Sequence, residues 1–308
     1  MNLLFAGNYH LDNRKLQELK QLGIHVYIMK EENSILPVEP KRIDGVVCNW
    51  LFVNHDIRQF TNLKYVQLLS AGLERMPMEY AREHNMQVYN ARGVYSIPMA
   101  EFAVCGVLQL IKKSREFVMN QSQHIWEKQR DLGELSDKTV CVLGMGSVGS
   151  EVAKKFSVFC KQIIGVDIKE VPNRYFDKFY HIDMIDTALS EADIVVITLP
   201  LSEDTKYLFD KEMFSHMKES AILVNIARGK IIKERDLMEA LDYGVIGGVV
   251  LDVFEEEPLE TDSPIWEHSK IIVTPHNSFV SKQNDKRMWE IIISNLQKYI
   301  QGDKNGEE

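Results

Sequence analysis

Short apolar runs rich in β-branched residues alternate with segments of helical spacing over about the first ninety residues. The segment 12–22 repeats leucine on one helical face, and Asp12 is suited to cap the start of that helix. Strands that alternate with helices predict a mostly parallel sheet with helices on both faces. The runs that predict the strands are NLLFAG, HVYIM, GVVCN, KYVQLL and MQVYN.

A second, more regular series follows a helical stretch that is predicted to run uninterrupted over residues 99–118, with Pro98 in its first turn. Six apolar runs each end in turn or polar residues, and six strands with crossovers describe a doubly wound nucleotide-binding sheet. Helices are also predicted over 233–241 and 280–300, and the tail GDKNGEE is expected to fray. The six runs are KTVCVLG, QIIGVD, DIVVITLP, AILVNIARG, GGVVLDVF and KIIVTPH.

Length and composition narrow the class of protein. A chain of 308 residues is long enough for two domains, and 45% hydrophobic with 26% charged residues is typical of a soluble globular protein. No apolar run approaches the roughly 20 residues that span a bilayer. The formal charge of −9 argues against a nucleic-acid partner, whose phosphates attract basic proteins.

The four cysteines are scattered, with no C-x-x-C pair. Cys48, Cys105 and Cys141 lie in apolar runs, where a thiol is usually a small core residue, and Cys160 is the fourth. This pattern predicts neither a disulfide framework nor a zinc site, so no metal is expected. It favours a reducing compartment, the cytoplasm.

A glycine-rich motif directly follows the run KTVCVLG and is predicted to open a helix over residues 150–159. In a dinucleotide-binding turn, the first glycine permits the turn, the second admits a pyrophosphate and the third lets helix and strand pack. The helix N-terminus offers N–H groups to the phosphates. A plain glycine-rich turn is the alternative. The predicted cofactor contacts here are Gly144, Gly146, Ser147, Val148 and Gly149.

Asp167 ends the next strand, QIIGVD, 18 positions after Gly149. An acidic side chain at this place can accept hydrogen bonds from the ribose hydroxyls. Its charge would repel a 2′-phosphate, so NAD is favoured over NADP, although Lys169 close by weakens that preference. Strand, glycines, helix, strand and acid in this order predict a dinucleotide site.

Reactive side chains follow three further strands, at the edge of the sheet where doubly wound folds bind ligands. Arg228 follows AILVNIA, Asp252 and Glu257 belong to GGVVLDVFEEEP, and His276 ends IIVTPH. Each alone could be structural: a surface cation, part of an acidic loop or a capped loop histidine. Together they match the reduction of a 2-oxo acid. A guanidinium holds the carboxylate and carbonyl, a histidine gives the proton, and a carboxylate beside it favours the imidazolium.

The runs ILVNIARGKII, GVVLDVFEEEPL and VTPHNS resemble the three signature regions of the D-isomer-specific 2-hydroxyacid dehydrogenase family. The phosphoglycerate, glyoxylate/hydroxypyruvate and D-lactate dehydrogenases belong to that family. The resemblance implies that Arg228 binds the substrate carboxylate and carbonyl, that His276 is the general acid/base and that Glu257 is its partner. It covers essentially the whole chain.

The resemblance also implies cofactor contacts on both sides of the dinucleotide. Asp252 would hold the nicotinamide carboxamide and Met99 would lie beside the nicotinamide ring. The remaining contacts are Leu199 and Pro200 on the adenine side with Thr205 close to them, and Ile226 and Ala227 near the nicotinamide ribose.

The run LLSAGLERMP resembles the family's substrate loop, in which backbone N–H groups around Ala71 and Gly72 hold the substrate carboxylate. A plain glycine turn after a strand is an equal alternative. Tyr95 would face the same region, with core packing as the competing interpretation. Where the chain reads Asn-Ser-Phe after His276, many relatives carry small residues, so an altered pocket is expected. Trp126, Trp289 and His124 are interpreted as core or interface residues.

The resemblance predicts two doubly wound parallel-sheet α/β domains with a cleft between them. Residues 1–96 and 281–308 would form a discontinuous, flavodoxin-like substrate domain, and residues 97–280 a Rossmann-type NAD-binding domain. Members of the family pair through the cofactor domain, with the long helix and segment after Gly93 in the interface. A homodimer is therefore expected.

The predicted function is hydride transfer between NAD(H) and a small D-2-hydroxy or 2-oxo acid, with glyoxylate or hydroxypyruvate as substrate. Glutamate rather than glutamine at position 257 argues against formate-dehydrogenase-like chemistry. One alternative is a catalytically silent NAD-sensing relative, against which the full set Arg228, Glu257 and His276 speaks. Another is an NAD-dependent epimerase, which ranks last because no Tyr-x-x-x-Lys motif follows the glycine loop.

Overall fold

A computed structural model describes residues 1–302, and within them twelve strands form two sheets in which every pairing is parallel. The strands are β1 Asn2–Ala6, β2 His25–Met29, β3 Gly45–Cys48, β4 Tyr65–Leu68, β5 Gln87–Tyr89, β6 Thr139–Leu143, β7 Gln162–Asp167, β8 Lys178–His181, β9 Ile194–Ile197, β10 Ile222–Asn225, β11 Gly248–Leu251 and β12 Ile271–Val273.

Helices connect the strands. The α-helices are α1 Asn13–Gln21, α2 Leu51–Asn54, α3 Met78–Glu83, α4 Ser96–Ile111, α5 Ser114–Ser122, α6 Ser147–Phe156, α7 Ile185–Glu191, α8 Lys211–Ser215, α9 Glu234–Asp242 and α10 Asn284–Ile300. Short 3₁₀ helices occupy Pro40–Arg42, Ile57–Gln59, Ile182–Met184, Gly229–Ile231 and Pro264–Trp266.

The chain divides into two compact units. The first comprises residues 1–94 and the segment from Lys282 onwards, and the second comprises residues 95–281. The sheet of the first unit has the order β2-β1-β3-β4-β5, which is that of flavodoxin-like folds. All five strands predicted from the apolar runs are present, and Asp12 caps α1 by accepting a 2.8 Å hydrogen bond from the Lys15 amide.

The C-terminal helix α10 packs within the first unit. Its Trp289 is buried and donates from the indole to Glu18, 2.6 Å away. Asn295 donates to the fully buried Gln67 of β4 at 2.8 Å. The helix begins at Asn284, so the prediction of a start near residue 280 was a few residues too early. The residues of the predicted frayed tail from Asp303 onwards lie outside the described part of the chain.

The seven-stranded sheet of the second unit has the order β12-β11-β10-β9-β6-β7-β8. The order of successive strands reverses between β6 and β9, with all strands still parallel, and this is the switch point where doubly wound sheets bind nucleotides. Strands β9, β10 and β11 are buried along their whole length, as parallel strands covered on both faces must be. The six predicted strands are present.

Strand β8 was missed by the sequence analysis. Its residues KFYH are only partly buried, because β8 lies at the edge of the sheet and pairs with β7 alone. Lys178 and Tyr180 both contact the carboxylate of Glu191 at the end of α7. An edge strand that presents polar groups has no continuous apolar run, which is the signal that predicted the others.

The prediction of one uninterrupted helix over residues 99–118 was wrong. Helix α4 begins earlier, at Ser96, and ends at Ile111. The chain then breaks because Lys113 adopts a left-handed conformation with φ of 51°, after which α5 begins at Ser114. Lys113 also forms an ion pair with Asp131 at 2.7 Å.

The helix of the glycine motif begins at Ser147 rather than at residue 150, and it ends at Phe156. Ser147 and Val148 therefore belong to its first turn. The last glycine of the motif is itself helical and buried, so the helix starts inside the motif and not after it.

Burial corrects two interpretations of single residues. Cys48 and Cys141 are buried as expected, whereas Cys105 is exposed because α4 turns Ala103, Val104 and Val107 towards the core instead. Trp126 is 95% exposed and is not a core residue.

Across the described residues, no helix has both the length and the apolar character that crossing a membrane would require.

Candidate active site

The glycine loop joins β6 to α6 at the switch point of the second sheet. Gly144 has φ of 95°, a left-handed conformation that favours glycine. A Cβ on Gly149 would lie 1.9 Å from the carbonyl oxygen of Gly144, so the third glycine permits a backbone contact that a side chain would prevent. A Cβ on Gly146 would meet no atom within 4 Å and would project into open space.

These residues fit a dinucleotide pyrophosphate. The space that a Cβ on Gly146 would fill is the space through which a phosphate can approach the backbone. Gly146 is the N-cap of the ten-residue helix α6 and provides no side-chain hydrogen bond. The first N–H groups of α6 and its positive dipole end can therefore act on an anion. The hydroxyls of Ser147 and Ser96 lie 2.8 Å apart at the same helix end.

Asp167 ends β7 and lies against the glycine loop. Its Oδ2 accepts a 2.6 Å hydrogen bond from the Met145 amide, and its Oδ1 accepts one from the Ile168 amide. The carboxylate is thus held next to the loop, where it can reach ribose hydroxyls. Its role towards the ribose stays a prediction.

The segments after β9 and β10 carry the other predicted cofactor contacts. Leu199 is buried, and Thr205 closes the following turn by donating to the Pro200 carbonyl at 2.6 Å. Ile226 and Ala227 bury their side chains, so only their backbone can face a ligand. Sequence analysis missed Thr198. Its hydroxyl lies 2.9 and 2.8 Å from the carbonyl oxygens of Leu143 and Gly144 and holds the start of the glycine loop in place.

Arg228 follows the turn after β10. The fully buried Asn225 sets this turn by accepting from the Ala227 amide at 3.1 Å and donating to the Arg228 carbonyl at 3.0 Å. The guanidinium donates to the Ala227 carbonyl at 2.7 Å. A Cβ on the next residue, Gly229, would lie 1.8 Å from the carbonyl oxygen of Phe254, so the Arg228 turn and the loop after β11 touch through their backbones.

His276 and Glu257 form a hydrogen-bonded pair. Nδ1 of His276 lies 2.8 Å from Oε2 of Glu257, and Oε1 of Glu257 accepts from the Phe254 amide at 3.1 Å. Their side chains are 42% and 35% exposed, so the pair is open to a ligand. With Nδ1 facing the carboxylate, Nε2 is the ring nitrogen left to exchange a proton.

Asp252 holds the loop that carries His276. Its fully buried carboxylate accepts from the Thr274 hydroxyl at 2.7 Å, the Asn277 amide at 2.7 Å and the Ser278 amide at 2.9 Å. His276 has φ of 50°, a left-handed conformation that is uncommon outside glycine and is found at functional sites. The sequence indicated no such contact; the role of Asp252 towards the carboxamide stays a prediction.

One aromatic ring lies next to His276, and a second ring packs against the first. The ring of Phe279 is perpendicular to the imidazole with centroids 5.8 Å apart, and Tyr95 is perpendicular to Phe279 at 5.6 Å. Burial raises the pKa of the Tyr95 hydroxyl. Phe279, at a position where many relatives carry a small residue, thus contacts the histidine, and Tyr95 contacts Phe279. Met99 lies one turn further along α4 and is half-buried.

Ala71 and Gly72 belong to the first unit, in the loop that follows β4. The Ala71 carbonyl accepts from the Asn90 side chain at 2.7 Å, and the Gly72 carbonyl accepts from the Ser70 hydroxyl at 2.9 Å. Both carbonyls are thereby occupied. The carboxylate of Glu74 folds over Gly72, with Oε2 2.0 Å from the position of a Cβ there. Within residues 1–302 no group of three or more His, Cys, Asp or Glu side chains could hold a metal ion.

The site combines a helix end that fits a phosphate, a cation and a hydrogen-bonded His–Glu pair at one sheet edge, an arrangement typical of dinucleotide-dependent oxidoreductases. Residues 104–278 match the family model described as "D-isomer specific 2-hydroxyacid dehydrogenase, NAD binding domain". The chain therefore belongs to the D-isomer-specific 2-hydroxyacid dehydrogenases, a family of NAD(P)-dependent oxidoreductases, and the matched region is its NAD-binding domain.

Relatives support this assignment over most of the chain. A D-3-phosphoglycerate dehydrogenase of Methanocaldococcus jannaschii is 32% identical over 98% of this chain and 58% of its own length. A glyoxylate reductase of Thermofilum pendens is 30% identical over 79% of this chain and 73% of its own. The crystal structure of a D-isomer specific 2-hydroxyacid dehydrogenase family protein from Aeromonas salmonicida has a TM-score of 0.81 and 28% identity, covering 98% of this chain and 96% of that one.

The chain thus spans little more than half the length of the phosphoglycerate dehydrogenase that it resembles. The named relatives differ in substrate, so membership of the family defines the kind of reaction but not the acid. Both units match the crystal structure from Aeromonas salmonicida, which confirms the prediction of two parallel-sheet α/β folds.

The two glycines of the cofactor loop predict different effects of the same substitution. Gly146→Ala adds a methyl group to open space, so the unfolding temperature should stay within a few degrees of that of the unchanged protein. The methyl group would occupy the approach of the pyrophosphate and should raise the Kd for NADH at least about tenfold.

Gly149→Ala is the matched comparison, because its methyl group would meet the Gly144 carbonyl. It should lower the free energy of unfolding by about 1–3 kcal/mol and weaken NADH binding as well. NADH fluorescence titration and thermal unfolding measure both effects. Tight NADH binding by Gly146→Ala would contradict the assignment of the pyrophosphate site.

Proposed function

We propose that this protein transfers a hydride between NAD(H) and the 2-carbon of a small D-2-hydroxy or 2-oxo acid. The observation that carries the proposal is the 2.8 Å contact between His276 and Glu257, at the same sheet edge as Arg228 and the glycine loop. When bound, NADH supplies the hydride. The residues of the chain supply a binding site for the acid and a proton.

Each of the three residues has a distinct part in the proposed reduction. Arg228 binds the substrate carboxylate and polarises the carbonyl, for which a planar, permanently charged guanidinium is suited. His276 donates a proton from Nε2 to the substrate oxygen as the alcohol forms. Glu257 holds the ring through Nδ1 and stabilises the imidazolium. In the oxidative direction His276 takes the proton back.

The substrate we propose is glyoxylate or hydroxypyruvate. The run SAGLERMP resembles that branch of the family, and the glyoxylate reductase of Thermofilum pendens is 30% identical to the chain. The ring of Phe279 beside His276, with Tyr95 packed against it, favours a short side chain on the acid. Ala71, Gly72 and Tyr95 remain proposed substrate contacts, with the N–H groups of the loop rather than its occupied carbonyls facing the carboxylate.

A catalytically silent NAD sensor is the alternative. It would keep the glycine loop and Asp167 but would have no need of an acid–base pair. The hydrogen bond between His276 and Glu257 and the buried contacts that hold Arg228 favour the enzyme.

A panel of 2-oxo acids tests the proposed reaction. Oxidation of NADH and NADPH is followed by the loss of absorbance of the reduced nicotinamide, with glyoxylate, hydroxypyruvate, pyruvate, 2-oxoisocaproate and phosphohydroxypyruvate. We expect turnover with glyoxylate and hydroxypyruvate. We also expect a preference for NADH, because Asp167 would repel the 2′-phosphate of NADPH. Tight NADH binding without turnover of any acid would favour the silent sensor instead.

Replacement of His276 tests the proton donor. His276→Ala should lower kcat by about 10²–10⁴-fold and leave the Kd for NADH unchanged, since the imidazole acts on the substrate and not on the cofactor. The matched control is His84→Ala, which removes an exposed histidine at the C-cap of α3 in the first unit. Equal kcat values for both variants would remove His276 from the mechanism.

We further propose a cytoplasmic homodimer that forms through the second unit. Helix α5 and the segment after it present many apolar side chains to solvent, and such a surface in a soluble protein marks an interaction site. The protein's own second copy is the partner that the family resemblance implies. The free cysteines suit a reducing compartment. The exposed apolar residues are Phe117, Val118, Met119, Ile125, Trp126 and Leu132.

A charge placed in this surface tests the dimer. Val118→Glu should convert a particle of two chains into one of a single chain, because a buried unpaired carboxylate opposes association. Light scattering after size-exclusion chromatography measures the mass. Ile35→Glu, at a residue 94% exposed in the first unit, is the control that should leave the mass unchanged. A single-chain particle for the unchanged protein would refute the proposal.

A further inference from the structure

The carboxylate of Glu257 reaches His276 from a short acidic loop, which comprises residues 254–257 and follows β11. Glu257 uses one carboxylate oxygen for the amide of Phe254 in its own loop and the other for His276. The contact with His276 therefore depends on where the whole loop lies. A residue that holds the loop in place controls the contact without touching substrate or cofactor.

Glu234, the first residue of α9, makes such a contact. Its Oε1 accepts a 2.6 Å hydrogen bond from the Glu255 amide, and its own amide donates to Oε1 of Glu255 at 2.7 Å. The two residues thus bind each other's backbone through each other's side chain. This reciprocal pair joins the acidic loop to the start of a helix that is itself packed in the core through Leu237 and Leu241.

Other contacts hold the acidic loop from different sides. The Tyr207 hydroxyl donates to Oε2 of Glu255 at 3.1 Å, and Lys230 pairs with Glu256 at 2.9 Å. Glu256 is largely exposed, and Tyr207 and Lys230 are partly exposed, so water can reach these two contacts. The bond from the Glu255 amide to Glu234 is the shortest of the set and is partly buried.

Attraction between charges does not explain the pair, because both partners are carboxylates. Burial raises the pKa of Glu234, the bond from the Glu255 amide lowers it, and the charges of Glu255 and Glu256 raise it. What the pair supplies is two hydrogen bonds of fixed direction to the backbone. The N-terminus of α9 favours negative charge at this place and so tolerates the two carboxylates.

We propose that Glu234 is a positioning residue that holds the acidic loop so that Glu257 stays in hydrogen-bond contact with His276. The inference rests on the proposed function for its effect on turnover. The reason that position matters is geometric, because a displacement of about 1 Å in a catalytic group can cost on the order of 100-fold in rate.

Glu234→Ala is the principal test. We expect kcat to fall about 10- to 100-fold. The Kd for NADH should stay unchanged, since the glycine loop that binds the cofactor follows β6 and the acidic loop follows β11. Glu234→Gln should restore kcat, because an amide oxygen can still accept from the Glu255 amide. The matched control is Glu239→Ala on the same helix, whose carboxylate pairs with the exposed Arg235 at 3.4 Å.

A spectroscopic signature separates positioning from general destabilisation and does not require turnover. The proton on Nδ1 of His276, assigned by its loss in His276→Ala, should give a downfield NMR signal in the unchanged protein, in Glu234→Gln and in Glu239→Ala. In Glu234→Ala the signal should disappear through exchange with water. If the unchanged protein reduces no 2-oxo acid, the proposed function fails, and this comparison still decides the role of Glu234.

Should Glu234→Ala not fold, Glu234→Asp takes its place. It keeps the charge at the start of α9 but is one methylene too short to reach the Glu255 amide, so it should lose the same signal and lower kcat. Retention of the signal and of kcat by Glu234→Ala, or by Glu234→Asp in its place, would overturn the proposal.

Discussion

Parallel pairing of buried strands is the constraint on which the site depends. In the second unit, β6, β9, β10, β11 and β12 pair in parallel and therefore end at the same edge of the sheet. The loops that leave this edge bring together residues far apart in sequence. Gly144 and Arg228 come from strands separated by β9 alone, and Asp252 follows the next strand.

Local patterns made most of this fold predictable. Buried parallel strands need continuous apolar runs, so eleven of the twelve strands in the described residues could be recognised from the sequence. The glycine motif could be recognised because its spacing reflects local steric requirements of the loop. The family signatures pointed to Arg228, Glu257 and His276, and in the structure Glu257 and His276 lie within hydrogen-bond distance of each other. Their catalytic roles remain proposals.

What could not be predicted depends on contacts between distant segments. The edge strand β8 is stabilised by one neighbour and by Glu191, so its own residues carry little signal. The break at Lys113 requires a left-handed backbone, and no glycine or asparagine at this position indicates one. The buried contacts of Asp252 join residues more than twenty positions apart, and only the structure reveals that this carboxylate holds the histidine loop.

The return of α10 to the first unit has a consequence for biosynthesis. Ribosomes release the chain from its N-terminus, and domains tend to fold as they emerge. Residues 95–281 are all translated before α10, so the second unit can complete its core first. At that stage the first unit still lacks α10, which donates hydrogen bonds to Gln67 and Glu18. The unit that begins the chain can therefore be the last to finish folding, and until α10 is translated Glu18 and Gln67 lack the hydrogen bonds that it provides.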